Sequence, residues 1–333
     1  MSNEPAGRPR ALPAFPHAEP QPYHLMLRTW SYAWWKPVVG ILIALVGFVV
    51  SAPLVFLPVV AFLVFFKRGS FGDNFASASD LDNIGPETLL ALNLVLGSLI
   101  LVTWFVIRVM HRMRPRWLTS VVPGFRWRFF FACIGLAVIA LVAQVLVSTL
   151  LPGDVEGDIS GSLNDFSRTT LVLAVIVLVT TPLQAAGEEY LFRGYLLQAV
   201  GSLFRNRWVA ILSTALLFAA AHGGQNFPLF FDRFAFGLIA AWLVIRTGGL
   251  EAGIALHVLN NFLAFGFALA FGDISEMLNV NDASWWNILA TVTQSGVYTV
   301  LVVVVARRMG LQTRTQPPVD GAETAPPVPV ATP

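Results

Sequence analysis

The sequence predicts an all-α fold, a polytopic membrane helix bundle with about eight transmembrane helices. Three observations predict it. Of the 333 residues, 56% are apolar and only 12% charged, so the apolar share exceeds the soluble-globular norm and the charged share is about half of it. The apolar residues gather into runs of about 20, the length that crosses a hydrocarbon core about 30 Å thick. The basic residues concentrate in alternate loops between those runs, as membrane topology requires. The composition also narrows function. One cysteine, Cys133, rules out an intrachain disulfide framework and a cysteine-based metal cage. The net charge of +2 gives no sign of a nucleic-acid partner.

In chain order, residues 1–36 read as a cytoplasmic tail. They hold four basic side chains and six prolines within the first 22 positions. With no apolar h-region and no small-residue cleavage site, no cleaved secretory signal is expected. Trp30, Tyr32, Trp34 and Trp35, with Arg28 and Lys36, predict an interfacial helix anchored at headgroup level. His17 and His24 in this tail, and His111 in a basic loop, are expected to have solvated surface roles. Eight apolar segments follow, at 37–66, 88–107, 129–151, 169–204, 208–227, 229–245, 249–271 and 285–306, within a membrane domain spanning 37–308. The first and fourth exceed one straight span. Pro53, Pro58 and Pro182 therefore predict kinked or tilted helices. Residues 309–333 hold six prolines, no aromatic residue and one basic residue, Arg314, and are expected to form a disordered Pro-rich cytoplasmic tail. No repeat of 20 to 50 residues is evident.

An even number of crossings puts both termini on one side. That side carries Arg8, Arg10, Arg28, Lys36, Arg108, Arg112, Arg114, Arg116, Arg126, Arg128, Arg205, Arg207, Arg246, Arg307, Arg308 and Arg314, 16 basic residues in all. The other side carries Lys67, Arg68, Arg168 and Arg233, and 12 of the 19 acidic residues. A miscounted segment would invert every later loop and scramble this split, so the positive-inside rule predicts a multi-pass cell-membrane protein with both termini cytoplasmic.

Ionisable side chains inside a membrane segment are costly and are usually paired, hydrated or functional. The fourth segment contains three in Gly187-Glu188-Glu189-Tyr190-Leu191-Phe192-Arg193. Glu189 and Arg193 stand four apart, on one helix face, and predict an ion pair. Glu188 is turned about 100° from Glu189, which leaves it without that cation. The fifth segment contains Phe218-Ala219-Ala220-Ala221-His222, and the seventh His257-Val258-Leu259-Asn260-Asn261, which puts His257 and Asn261 on one face. Glu188 lies 17 residues before Arg205 and His222 lies 17 after it, so each sits about 25 Å from the turn and the two can be neighbours. His257 lies only nine residues beyond Gly248, about 14 Å along its helix, a mismatch in depth that the sequence leaves open. Each of these polar groups, taken singly, also suits interhelical hydrogen bonding of the kind bundles use freely. Asn93 and Gln144 are assigned that structural role.

Glu-Glu-x-x-x-Arg, Phe-x-x-x-His and His-x-x-x-Asn, in this order on membrane helices over about residues 169–271, resemble the motifs of the CPBP family, which comprises CAAX prenyl proteases and bacteriocin-processing or immunity (Abi) membrane proteins. The resemblance implies an intramembrane glutamate-dependent peptidase acting on a membrane-associated or lipidated peptide or protein. Glu188 and His222 would activate a water, and His257 and Asn261 would hold the oxyanion. Glu189 and Arg193, with Phe218, would support them. Hydrolysis needs a base and oxyanion donors in any case. No cofactor is expected. A zinc form remains open, with Glu188, His222 and His257 as three ligands, as does a non-catalytic immunity or transport protein whose polar cluster binds an ion or partner. There is no His-Glu-x-x-His helix and no Gly-x-Ser-x-Gly elbow.

Overall fold

The computed structural model describes residues 15–152 and 163–316. They form a helical bundle with seven helices or helix pairs long and apolar enough to cross a membrane, and an eighth, shorter apolar helix. The first, α1 (Trp35–Leu63), runs on through a π-helical turn to Arg68. It contains Pro53 and Pro58 and presents most of its length to the surroundings, as a lipid-facing helix should. A surface helix, α2 (Phe71–Ser79), precedes α3 (Pro86–Gly97) and α4 (Leu99–Val109), which make one crossing broken at Ser98. The one-turn α5 (Arg116–Thr119) leads to α6 (Trp127–Ser148).

The longest crossing begins with α7 (Arg168–Glu189), passes through a π-helical stretch at Tyr190–Leu196, and continues as α8 (Leu197–Phe204). Then come α9 (Arg207–Ala220), α10 (Phe227–Thr247), α11 (Glu251–Phe271), the short α12 (Ile274–Leu278) and α13 (Asn287–Arg308). Asn206 caps α9 by accepting from Trp208 N at 2.8 Å, and Asn226 caps α10 by accepting from Leu229 N at 3.1 Å. Gly248 ends α10 at φ +75°, a left-handed turn that glycine adopts without strain.

The fifth predicted segment differs from expectation. Its helix stops at Ala220, and at 14 residues it spans only about 21 Å. The chain from Ala221 to Asn226 completes the passage as a loop, held at its far end where Asn226 N bonds the Asn281 carbonyl at 2.8 Å. A helix of full length would have carried His222 on as one more helical residue. Ending it early places His222 at a helix terminus, exposed.

The tails differ as well. Among the described residues no α-helix precedes Trp35; residues 15–34 form turns and one short 3-10 turn at Tyr23–Leu25, and Tyr23, Met26 and Leu27 in this segment are fully buried. Tyr23 donates its hydroxyl to the Leu118 carbonyl at 2.5 Å. Residues 309–316 fold back against this segment, with Thr315 N bonding the Gln21 carbonyl at 2.9 Å and Pro22 paired with Arg314. Both described ends therefore clasp the same end of the bundle. Residues 1–14 and 317–333 of the predicted tails lie outside the described residues. His17, His24 and His111, expected on the surface, are 2%, 8% and 2% exposed. His17 donates to the Met26 carbonyl at 2.7 Å and meets Trp117 edge-on; His111 bonds the Tyr195 hydroxyl at 3.1 Å. The clasp that buries them is invisible to a reading of local polarity.

Packing around the site depends on small residues. Gly187 lies against the Leu96–Gly97 backbone, where an added Cβ would stand 2.2 Å from the Leu96 carbonyl oxygen. Beside it Asn93 donates to Thr180 Oγ1 at 2.9 Å and Thr181 Oγ1 at 3.2 Å, the interhelical bonding expected of it. On the other flank Gly253 of α11 faces Glu189, where a Cβ would stand 2.7 Å from Oε2. These two glycines let α7 approach α3 and α11 at the level of the paired glutamates.

Candidate active site

Four elements converge at Glu188: α7, the π-helical turn after it, the end of α9, and α11. Glu189 and Arg193 are both fully buried and paired at 2.8 Å. Pairing and burial together explain why a charged pair persists here: alone, each ion would face a desolvation cost of several kcal/mol. Arg193 is further held in an aromatic box, its guanidinium carbon 4.0 Å from the Phe218 ring centroid and 5.1 Å from that of Phe236. Its Nε and Nη2 have no hydrogen-bond acceptor, so aromatic faces provide their electrostatic contact.

Glu189 also has a second partner that the helix spacing could not reveal. Its Oε1 lies 3.0 Å from His257 Nδ1. An ionised carboxylate only accepts, so Nδ1 carries a proton and His257 Nε2 turns the other way, to 3.6 Å from Glu188 Oε2. His257 thus stands between the two glutamates.

That position resolves the mismatch in depth. The turn after α10 is not level with the turn at Arg205. Leu250 bonds the Thr119 carbonyl through its amide at 3.0 Å and packs beside Gly194, a Cβ on which would stand 3.6 Å from Leu250 Cδ1. Counted from this shared level, Glu188 lies six residues along one helix and His257 seven along the other, about 9 and 10 Å respectively. The α7–α8 helix projects past the second hairpin, and the difference in projection accounts for the discrepancy.

Gln184 is the residue that motif reading missed. It donates through Nε2 to Glu188 Oε1 at 2.7 Å and accepts through Oε1 from Asn261 Nδ2 at 2.8 Å. The carboxylate fixes which way the Gln184 amide points, and Gln184 in turn fixes Asn261, leaving the second Asn261 N–H for another acceptor. The available signal was its spacing, four residues before Glu188 and on the same face. Glu188 lacks the Arg193 cation, as the spacing predicted, but it has other partners: the Gln184 amide at Oε1 and, at 3.6 Å from Oε2, His257 Nε2.

His222 ends α9, with Nδ1 donating to the Phe218 carbonyl at 2.8 Å. A carbonyl only accepts, so this bond fixes the tautomer and leaves Nε2 with a lone pair. Glu188 and His257 are its electrostatic neighbours. Phe218 lies edge-on to both histidines, at ring-centroid distances of 4.7 Å from His222 and 5.9 Å from His257. The loop beyond is braced by Gln225, which donates to the Ala219 carbonyl at 2.7 Å and accepts from Arg233 at 2.6 Å. Among the described residues, no three His, Cys, Asp or Glu side chains are grouped so as to share a metal ion. Together the groups supply a carboxylate with one oxygen that meets only His257 Nε2, at 3.6 Å, an imidazole lone pair on His222, and an amide donor at Asn261.

Residues 169–263, which include every one of these side chains, match the family described as type II CAAX prenyl endopeptidase Rce1-like. The chain is 24% identical over 208 residues to the uncharacterized protein YyaK of Bacillus subtilis (strain 168), an alignment covering 59% of this chain and 68% of that protein. It is 32% identical over 132 residues to an uncharacterized 24.3 kDa protein of Escherichia coli, covering 38% of this chain and 58% of that protein. No solved structure matches it.

Proposed function

From a CPBP-family segment at residues 169–263, we propose that this multi-pass membrane protein is an intramembrane endopeptidase of the CAAX-protease type, using Glu188 as general base on a water, without a metal. The observation that carries the proposal is the sorting of the two glutamates: Glu189 is bonded at 2.8 Å by Arg193 and at 3.0 Å by His257 Nδ1, while Glu188 Oε2 accepts no hydrogen bond among the described residues and meets His257 Nε2 only at 3.6 Å. A general base must lie within hydrogen-bond reach of the water whose proton it takes, and Oε2 is the Glu188 oxygen left to accept it.

In this reading a water sits between Glu188 Oε2 and His222 Nε2. Its oxygen forms the new bond to the scissile carbonyl carbon while its proton passes to Glu188. The developing oxyanion accepts from the second Asn261 N–H and from His257 Nε2. With Nδ1 already donating to Glu189, His257 offers Nε2–H only as the imidazolium. Glu188, Glu189, Arg193 and His257 then sum to zero charge, which a low-dielectric site favours. The proton on Glu188 goes to the leaving nitrogen as the C–N bond breaks. The substrate is a peptide or protein at the membrane, with both termini of the enzyme in the cytoplasm in keeping with the 16-to-4 basic split.

The test compares membrane peptides that accumulate with the wild-type protein, with Glu188→Gln and with His222→Ala. Both variants should insert and accumulate yet fail to generate the cleaved products. Full activity of purified Glu188→Gln would refute the assignment of the base. Activity lost on chelation and restored by one equivalent of zinc would refute the metal-free mechanism.

A further inference from the structure

At the end of the bundle that carries both described termini, a cavity of about 390 Å³ opens between the start of α9, the end of α10 and the two clasped tails. Its lining is divided in chemistry. Arg207, Arg246 and Arg314 provide three guanidinium groups, and none of the ion pairs among the described residues involves them. Ile211, Trp242 and Ile245 provide an apolar wall. His24 also lines the cavity; it is 8% exposed, and its Nδ1 is buried with no hydrogen-bond partner. Burial, reinforced by Arg207 and Arg314 nearby, pushes His24 down to about 4, so it is a neutral imidazole able to donate one hydrogen bond.

Three clustered cations that no ion pair among the described residues neutralises, and a buried polar atom with no partner there, describe half of a binding site. The missing half is an anion with several acceptor oxygens, and guanidinium groups favour phosphate through paired N–H donors. Position selects the source. The cavity lies at the ends of membrane-crossing helices, where phospholipid headgroups lie, and the ridge Trp208, Leu212 and Leu216 runs from it along α9, exposed by 46%, 46% and 52%. A headgroup in the cleft would leave its acyl chains along that ridge, against the apolar surface a free anion has no use for. Basic pockets between membrane helices take anionic headgroups by this logic.

We propose that this cleft binds the phosphate headgroup of an anionic phospholipid. The site is independent of the peptidase reading and lies at the opposite end of α9 from His222, about 22 Å away along the helix.

The test uses the full chain in detergent, titrated with phosphatidylglycerol or phosphatidylcholine of identical acyl chains, with bound lipid counted by native mass spectrometry. One phosphatidylglycerol should be retained at least tenfold more tightly than phosphatidylcholine. Arg207→Gln with Arg246→Gln should abolish that preference, and Arg246→Gln alone, a change at an exposed side chain, should reduce it at least threefold. Arg108→Gln with Arg308→Gln removes the same charge from exposed positions outside the cleft and should leave the preference intact. Equal retention of the two lipids, or equal loss in the control pair, would overturn the proposal. Inorganic phosphate displacing phosphatidylglycerol at equal concentration would identify a free-anion site instead, and overturn the lipid assignment.

Discussion

Replacing Glu189 by glutamine keeps the shape of the side chain and removes its charge. Two bonds converge on Oε1, from Arg193 at 2.8 Å and from His257 Nδ1 at 3.0 Å, and both Glu189 and Arg193 are fully buried. The amide oxygen of Glu189→Gln can still accept, so hydrogen bonding is largely retained and the lost quantity is electrostatic. Arg193 would remain a buried cation with aromatic rings as its main compensation, a contact worth about 2 kcal/mol when desolvated. Breaking a buried ion pair from one side costs about 3–5 kcal/mol, and that range is the expected loss. Removing the cation as well changes the outcome: Glu189→Gln with Arg193→Met leaves a neutral, flexible thioether in the same aromatic box. The double variant should recover at least about 2 kcal/mol relative to the sum of the single changes, the coupling expected for residues in direct contact. Reversible unfolding in mixed detergent–SDS micelles, run on all four proteins, measures each term. A loss under about 1 kcal/mol for Glu189→Gln, or strict additivity in the double variant, would refute the view that this pair stabilises the bundle by mutual charge compensation.

Other expectations concern the relay, the packing, the clasp and the orientation. Asn261→Ala should lower turnover about 10²- to 10³-fold, as for loss of one oxyanion donor. Gln184→Leu should cost about 10- to 100-fold in turnover with little change in substrate affinity, since a hydrogen bond to a charged group is worth about 1.5–3 kcal/mol; wild-type kinetics would eliminate the relay. Gly187→Ala should lower the melting temperature, because a Cβ placed 2.2 Å from the Leu96 oxygen forces α3 and α7 apart at an overpacking cost of about 1–3 kcal/mol; an unchanged melt would contradict the close approach. Burial pushes His17, His24 and His111 down to about 4, whereas unfolded histidine titrates near 6.5. Between those values the unfolded state binds more protons, so the clasp should be fully stable above pH 6.5 and weaken progressively as pH falls towards 4. Hydrogen exchange of residues 17–32, corrected for intrinsic rates, should show it, and pH-independent protection would count against it. For orientation, maleimide should reach Asp80→Cys and Asp282→Cys from outside the cell but Arg308→Cys only from the cytoplasm, with Cys133 silent because it is buried; any exchange of sides would break the proposed topology.

The sequence by itself determined what depends on neighbours along one helix. Runs of about 20 apolar residues marked seven of the eight predicted segments as helices long enough to cross, because bilayer thickness and helix rise leave little choice of length. Spacing of four residues fixed the Glu189–Arg193 pair and the shared face of His257 and Asn261, because side-chain direction repeats every 3.6 residues whatever packs outside. The tertiary structure alone decided how helices slide past one another. The level of Leu250 beside Gly194 brought His257 to Glu188, and with it gave Glu189 its second partner. The approach of α11 to α7 made Gln184 a bridge to Asn261 rather than one more polar residue on a membrane helix. The early end of α9 exposed His222, and the clasp of residues 15–34 over the bundle buried three histidines that local polarity placed on the surface. Axial shift between helices and burial by distant segments arise from close packing summed over many residues far apart in sequence, and no local period records them.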